Sequence, residues 1–128
     1  MIADQLPRRR PILRQKRKAG IVMRVLITAF GNNITAPIDP RFERCRFFLL
    51  WDSSTAELAS FANKNALSSA VGISSAQFAV DHGVQTVITG EVGVYAQQVL
   101  QNAGILVFLT KAATVYEALE RLMEENNT

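Results

Sequence analysis

The sequence predicts an α/β protein whose five-stranded sheet carries helices on both faces. Short apolar runs rich in Val and Ile alternate with longer amphipathic segments after residue 22. Two of these runs, residues 84–89 and 105–109, are mostly apolar, which is typical of parallel strands buried on both faces. A helix–glycine–strand module also occurs twice, as AQFAVDHGV and AQQVLQNAGI. This alternation favours parallel strands joined by helices.

The first three predicted strands come before any helix. Residues 23–30 form a strand that ends at a Gly-Asn-Asn turn. After a loop with two prolines, residues 46–52 and 57–64 form a hairpin. We expect the first strand to be central, with the hairpin on one side and strands four and five on the other. The second strand then runs antiparallel to the rest.

The three predicted helices have start or stop signals. The first begins at Gly72 and ends at Gly83, and the second ends at Gly104. The third begins with a capping box made of Thr114 and Glu117. The apolar positions predicted to face the sheet are Ile73, Ala76 and Val80 in the first helix, Tyr95, Val99 and Ala103 in the second, and Val115, Leu119 and Leu122 in the third.

Composition restricts the class of protein. The chain has 128 residues, of which 48% are hydrophobic, and this suits one globular domain. One cysteine cannot form a disulfide framework, and no apolar run reaches the roughly 18 residues of a membrane span. We therefore expect a cytoplasmic monomer with no membrane partner.

Positive charge is concentrated at the amino terminus. Residues 1–22 contain seven of the fourteen Lys and Arg residues and one of the eleven acidic residues, so residues 23–128 carry a net charge of −3. We expect a disordered basic extension at 1–22 and one α/β domain at 23–128. The extension could act as a nucleic-acid-binding arm. We favour the alternative of a dispensable extension, with translation starting at Met23.

The proposed strand arrangement places a candidate ligand site at one edge of the sheet. The chain changes direction between strands one and four, and ligands of open α/β sheets bind at such a switch point. All three helices begin at this edge, so their positive dipole ends would face one crevice. Four loops meet there, residues 31–46, 65–72, 90–94 and 110–114. Arg41, Arg44 and Arg46 would make the crevice attract an anion, although solvated surface arginines are the alternative.

The chain has few candidates for catalysis. His82, the single histidine, lies at the opposite end of the first helix, so we interpret it as structural. Asp39 and Glu91 are the acidic residues that map to the crevice edge, which is too few for a two-metal nuclease. The sequence has no phosphate-binding glycine motif and no Cys-x-x-Cys pair. We therefore expect no enzymatic activity.

Cys45 is a candidate metal ligand. It lies in the loop that enters strand two, beside three arginines that would lower the pKa of the thiol. The resulting thiolate could ligate a soft metal. A free thiol packed at the end of a strand is the alternative.

Three stretches together carry a resemblance to a known family. They are MRVLITAFGNNITAPIDPRFERCRFFLLWD, AVGISSAQFAVDHGV and QTVITGEVGVYAQQVLQNAGILVFL. In order and spacing they resemble the dinitrogenase iron-molybdenum cofactor biosynthesis proteins, which include nitrogenase-cofactor carriers and the molybdenum-copper "orange protein". The resemblance covers about residues 23–122. It implies a ribonuclease-H-like α/β/α motif with sheet order 3-2-1-4-5 and an antiparallel strand two.

The resemblance also implies a function. It suggests non-enzymatic carriage or storage of a molybdenum-containing metal-sulfur cluster, of the iron-molybdenum or molybdenum-copper type, with cluster donor or acceptor proteins as partners. The family often has His-Phe-Gly before strand two, where this chain has Arg41, Phe42 and Glu43. Histidine ligation is therefore in doubt, whereas guanidinium and N–H groups could retain a thiometallate anion.

The loop from Gly90 to Gly93 matches a Gly-x-x-Gly-Pro segment of the family, with Val94 in place of the proline. Glycines there would let the backbone approach a bulky ligand. The predicted cluster-binding residues are Arg41, Phe42, Arg44, Arg46, Gly72, Gly90 and Gly93, with Cys45 as the candidate metal ligand.

Overall fold

The computed structural model describes residues 23–67 and 71–126. The elements in chain order are β1 (Arg24–Ala29), β2 (Phe47–Asp52), β3 (Glu57–Ala62), α1 (Val71–Asp81), β4 (Thr86–Thr89), α2 (Val94–Asn102), β5 (Leu106–Leu109) and α3 (Val115–Asn126). The predicted succession of strands and helices is confirmed, and the basic extension predicted at residues 1–22 lies outside the described residues. Of the helices in the described part, none is long and apolar enough to cross a membrane.

The strands form one mixed sheet in the order β3-β2-β1-β4-β5. Strand β1 pairs antiparallel with β2, from Arg24 opposite Asp52 to Ala29 opposite Phe47, and it pairs parallel with β4. Strand β3 is antiparallel to β2, and β5 is parallel to β4. The predicted order and the antiparallel β2 are confirmed. The carboxyl ends of β1, β4 and β5 therefore lie at one edge of the sheet, here called the loop edge.

Alternate side chains of β1 contribute to two separate cores. Val25 and Ile27 pack with residues of α3 on one face of the sheet. Leu26 packs on the other face with residues of α1 and α2. Because successive side chains of a strand point to opposite faces, a strand buried on both sides must be apolar throughout. The three-layer α/β/α architecture is confirmed.

Helix α3 follows its sequence pattern. Val115, Leu119 and Leu122 are buried, as predicted. In the capping box, the backbone N–H of Glu117 donates to Thr114 Oγ1 at 3.2 Å. The Glu117 carboxylate accepts a hydrogen bond from the Ala113 N–H at 2.9 Å.

The predicted apolar faces of α1 and α2 are partly wrong. Ile73 is 57% exposed and Tyr95 is 73% exposed, although both were predicted to face the sheet. The fully buried positions are Ala76 and Ala79 in α1, and Ala96 and Leu100 in α2. Alanine carries a weak hydrophobic signal, but its small side chain lets these neighbouring helices pack closely.

Two glycines end their helices as predicted. Gly83 has a φ of 67° and Gly104 has a φ of 75°, in the left-handed region that favours glycine.

His82 stacks on Phe78 with ring centroids 4.1 Å apart, and its Nδ1 lies 2.9 Å from the Phe78 carbonyl oxygen. The predicted position of His82 at the end of α1 is confirmed, and its structural role stays a prediction.

Candidate functional site

A buried carboxylate organises the loop that carries the arginines. Asp39 has no exposed surface. Its Oδ1 accepts hydrogen bonds from Arg41 N at 3.2 Å and Arg41 Nε at 2.9 Å. Its Oδ2 accepts from Arg41 Nη2 at 2.9 Å and from Arg46 N at 3.1 Å. A buried carboxylate is stable only when it is paired and hydrogen-bonded in this way, so Asp39 fixes residues 39–46, here called the arginine loop.

Two buried threonines attach the arginine loop to the switch point of the sheet. Thr28, near the end of β1, donates from Oγ1 to the Asp39 carbonyl oxygen at 2.6 Å. The same Oγ1 lies 2.7 Å from Oγ1 of Thr89, the last residue of β4. The arginine loop therefore begins beside the carboxyl ends of β1 and β4, where the chain leaves the two strands in different directions.

The arginine loop and its flanking residue contact each neighbouring loop. Phe42 donates its N–H to the Glu91 carbonyl oxygen at 3.1 Å. Ile38, which precedes the loop, donates its N–H to the Ala113 carbonyl oxygen at 3.1 Å. Arg44 Nη1 donates to the Ala66 carbonyl oxygen at 2.5 Å. The four loops predicted to converge at the loop edge do so in their described parts.

The three arginines have different electrostatic environments. The hydrogen bonds and charge of Asp39 raise the pKa of Arg41, whose guanidinium carbon also lies 5.9 Å from the ring centroid of Phe30. Arg41 is therefore neutralised by its own loop. Within residues 23–67 and 71–126, neither Arg44 nor Arg46 has an ion-pair partner. Arg44 and Arg46 therefore keep positive charges that no described carboxylate neutralises.

The expected thiolate at Cys45 is not formed. The side chain of Cys45 is fully buried, and its Sγ lies 3.3 Å from the Phe47 carbonyl oxygen. Burial, together with the negative charge of Asp39, raises the pKa of the Cys45 thiol to about 12. The prediction of a lowered pKa is wrong, because the thiol is buried and lies near the negative charge of Asp39, and these effects outweigh that of Arg41. Metal ligation by Cys45 stays a prediction.

Two predicted binding residues, Phe42 and Gly72, lie in the core and in helix α1. Phe42 is fully buried and contacts Phe48 edge to face, with centroids 6.0 Å apart. It anchors the arginine loop in the core between the sheet and α1 and α2. Gly72 lies in the first turn of α1. Direct contact of either residue with a ligand stays a prediction.

The arginine loop lies close to both glycines of the 90–94 loop. A Cβ added to Gly90 would lie 2.5 Å from Pro40 Cβ and 2.7 Å from Pro40 Cα. A Cβ added to Gly93 would lie 2.5 Å from Glu43 Oε2. In this structure, Pro40 closely approaches Gly90, and the Glu43 side chain closely approaches Gly93. Approach of a ligand to these glycines stays a prediction.

Glu43 occupies the amino terminus of α2. Its Oε2 accepts a hydrogen bond from the N–H of Gly93, the residue that caps the helix. Its carbonyl oxygen accepts hydrogen bonds from Asn63 Nδ2 at 2.9 Å and Ser75 Oγ at 3.0 Å. The backbone of Glu43 is thus anchored to β3 and α1, while its carboxylate covers the positive end of α2.

Exposed apolar side chains surround the loop edge. Phe30 follows β1 and is 42% exposed, while Leu67 is 94% exposed. Val94 and Tyr95, in the first turn of α2, are 72% and 73% exposed. Apolar side chains at a rim beside cationic groups suit a ligand that has both a charge and a polarisable surface.

A cavity of about 430 Å³ opens between the end of β3 and the start of α1. Phe48, Phe61 and Phe78 line its apolar part. Asn63 and Ser75 line its polar part, and both also hold the backbone of Glu43. The cavity therefore adjoins the arginine loop.

The described residues offer no ready-made metal centre. Across residues 23–67 and 71–126, no group of three or more His, Cys, Asp or Glu side chains could hold a metal ion. Asp39 accepts hydrogen bonds from Arg41 and Arg46 instead. The arrangement can bind an anion through N–H groups, guanidinium groups and apolar contacts.

Comparison with known proteins identifies the family. The family model described as dinitrogenase iron-molybdenum cofactor matches residues 23–125, which is about four fifths of the chain. The chain belongs to this family. No curated protein sequence matches it significantly.

Two solved structures support the assignment. The apo form of the orange protein from Desulfovibrio gigas is 34% identical, has a TM-score of 0.76, and is matched over 84% of this chain and 92% of its own. A Thermotoga protein of the DUF35 family, solved by NMR, is 28% identical, with a TM-score of 0.71, over 82% of this chain and 90% of its own. Both proteins have the same fold as this chain.

Sequence reasoning missed the residues that build the site. The sequence offers Asp39 as a candidate metal ligand, whereas in the structure it holds the backbone of the arginine loop. The Asp-Pro pair at 39–40 is a turn signal, and it is the local indication of this role. Glu43 was noted as a departure from the family pattern, but its contact with Gly93 spans 50 positions. No local pattern predicts a contact of that range.

Proposed function

We propose that this chain is a non-enzymatic carrier or storage protein for an anionic, molybdenum-containing metal-sulfur cluster. The family description and the 34% identity to the orange protein support a molybdenum-related cargo. The cluster would bind at the loop edge, between the arginine loop, the 65–67 segment and the 90–94 loop. Donor or acceptor proteins would deliver and collect it, and the exposed apolar rim provides surface for such contacts.

The observation that carries the proposal is the shape of the arginine loop. Asp39 and Thr28 hold its backbone rigidly at the switch point of the sheet, so Arg44 and Arg46 project from a fixed base. Both guanidinium groups lack an ion-pair partner among the described residues. A fixed loop backbone lowers the entropic cost of binding a polyanion, because only the arginine side chains then have to be ordered.

The side chains also favour a particular class of cluster. Cys45 is buried with a pKa raised to about 12, and His82 lies at the far end of α1. Neither supplies an accessible coordinating atom at the loop edge. A cargo that brings its own sulfide ligands needs no protein ligand, and its sulfur surface accepts weak hydrogen bonds and apolar contacts. We therefore favour a thiomolybdate-derived cluster, such as one with molybdenum, copper and sulfide.

Reconstitution tests the proposal. The protein is mixed with tetrathiomolybdate, with and without copper, passed through a gel-filtration column, and assayed for molybdenum and visible absorption. We expect molybdenum and a sulfide-to-metal charge-transfer band to elute with the protein. Molybdate, the oxygen analogue, is the control and should not be retained. Absence of protein-bound molybdenum in every thiomolybdate sample would refute the proposal.

A further inference from the structure

The carboxylate of Glu43 lies at the position where an anionic cargo would approach α2. Its Oε2 accepts the Gly93 N–H at the helix amino terminus. The first N–H groups of a helix have no partner within the helix and carry its positive dipole end, so anions are favoured there. A carboxylate already seated at this end repels a second anion.

The backbone and the side chain of Glu43 are held by different contacts. Asn63 and Ser75 fix its carbonyl oxygen, and the adjacent Asp39 network fixes the rest of the loop. The carboxylate itself is held through Gly93. Rotation of the side chain would therefore release the helix terminus without disturbing the arginine loop. The side chain is half-buried, so it can reach water after rotation.

Glu43 is also not neutralised by an arginine. The ion pairs among the described residues join Arg24 to Asp52, Arg41 to Asp39, and Arg121 to Glu117. The neighbouring Arg44 donates to the Ala66 carbonyl oxygen instead. The full negative charge of Glu43 therefore opposes an anionic cargo, while Arg44 stays available to attract it.

We propose that Glu43 is a displaceable internal anion that competes with the cargo for the amino terminus of α2 and so sets the affinity of the site. This inference rests on the proposed function. In the empty protein the carboxylate caps the helix, and in the loaded protein it rotates away. A cargo with one negative charge gains little from this exchange, whereas a polyanion gains more, so Glu43 makes the site selective for highly charged clusters.

Glu43→Gln tests the inference, with Glu124→Gln as the control. Glutamine keeps an acceptor for the Gly93 N–H, so the fold is preserved. Glu124 is exposed in the last part of α3, outside the loops that would bind the cluster, so its variant removes the same charge away from the site. We expect Glu43→Gln to bind tetrathiomolybdate about three- to tenfold more tightly than wild type, and Glu124→Gln to change binding less than twofold.

The outcomes separate the two proposals. Tighter binding by Glu43→Gln than by wild type, with the control variant binding as wild type does, supports the inference. Equal affinities of the two variants, with binding by wild type, overturn the inference and leave the proposed function standing. Absence of binding by every protein overturns both. As an independent readout, the NMR signal of the Gly93 amide should shift when wild type is loaded, and an unchanged signal contradicts the displacement of Glu43.

Discussion

Arg41 binds Asp39 through two parallel hydrogen bonds, Nε to Oδ1 and Nη2 to Oδ2, each 2.9 Å long. The carboxylate is fully buried, while the arginine side chain is 48% exposed. The pair therefore fixes the loop, and the positive charge of Arg41 is neutralised by Asp39. This relationship decides which arginines can be used to test binding, since removal of Arg41 would leave a buried charge without its partner.

Asp39→Asn should destabilise the protein by about 2–4 kcal/mol. The asparagine amide would present N–H groups to donors of Arg41 or Arg46, so at least one hydrogen bond would become a donor–donor contact. Urea unfolding followed by circular dichroism measures the loss. Glu91→Gln, at an exposed carboxylate on the same edge, should change the free energy of unfolding by less than about 0.5 kcal/mol. Equal stabilities of the two variants would contradict the anchoring role.

The fold was predictable because its signals are local. Apolar runs mark β1 and β4, and glycines with positive φ end α1 and α2 at Gly83 and Gly104. The capping box at Thr114 marks the start of α3. The faces of α1 and α2 were less predictable, because Ala76 and Ala96 are buried by helix-helix packing that a hydrophobicity pattern does not encode.

The site was predictable in position and not in detail. Parallel strands joined by helices bring the loops to one edge, so the neighbourhood of Arg41 and Gly90 follows from topology. The pairing of Arg41 with Asp39 depends on the loop backbone, and that backbone depends on distant contacts such as Thr28 with Thr89. For this reason the sequence could suggest three equivalent arginines, whereas the structure has two without an ion-pair partner in its described part and one neutralised.

Arg44→Gln combined with Arg46→Gln should weaken binding of tetrathiomolybdate about ten- to fiftyfold at low salt. Two positive charges without an ion-pair partner among the described residues are removed. The Arg44 guanidinium also gives up its hydrogen bond to the Ala66 carbonyl oxygen, while the Asp39 contacts that fix the arginine loop remain. Binding is measured by visible titration, with unfolding curves to check the fold. A double variant of Arg24 and Arg121 to glutamine, with the same change in net charge away from the loop edge, should bind as wild type does. Equal weakening in both double variants would argue against a local site.

The buried thiol should make stability fall at alkaline pH. The pKa of Cys45 is about 12 in the folded protein, against an ordinary value of 9.0. Between these values the unfolded chain loses its proton and the folded chain keeps it, so the free energy of unfolding decreases as pH rises. Cys45→Ala lacks this contribution. Urea unfolding at pH 7.5, 9 and 10.5 should show a steeper decline for wild type than for Cys45→Ala, and parallel declines would contradict the raised pKa.

Cys45→Ala should retain the thiomolybdate charge-transfer band. The thiol is buried and protonated near neutral pH, so we expect the cargo to be held without a bond to sulfur of the protein. Absorption after gel filtration provides the measurement, and reaction of the native thiol with a disulfide reagent should be slow beside that of the unfolded chain. Loss of the band in a folded Cys45→Ala variant would show that Cys45 is a ligand.

Gly90→Ala should destabilise the protein by about 1–3 kcal/mol. The added methyl group would meet Cβ, Cα and the carbonyl oxygen of Pro40 at 2.5, 2.7 and 3.0 Å, and a proline ring and its backbone cannot rotate aside. Gly93→Ala is the matched comparison, because its methyl group would meet the flexible end of Glu43. That variant should lose less stability in urea unfolding than Gly90→Ala. It should also bind tetrathiomolybdate more tightly than wild type, because the methyl group pushes the Glu43 carboxylate off the helix terminus. A larger loss of stability for Gly93→Ala than for Gly90→Ala would show that Glu43 is fixed rather than displaceable.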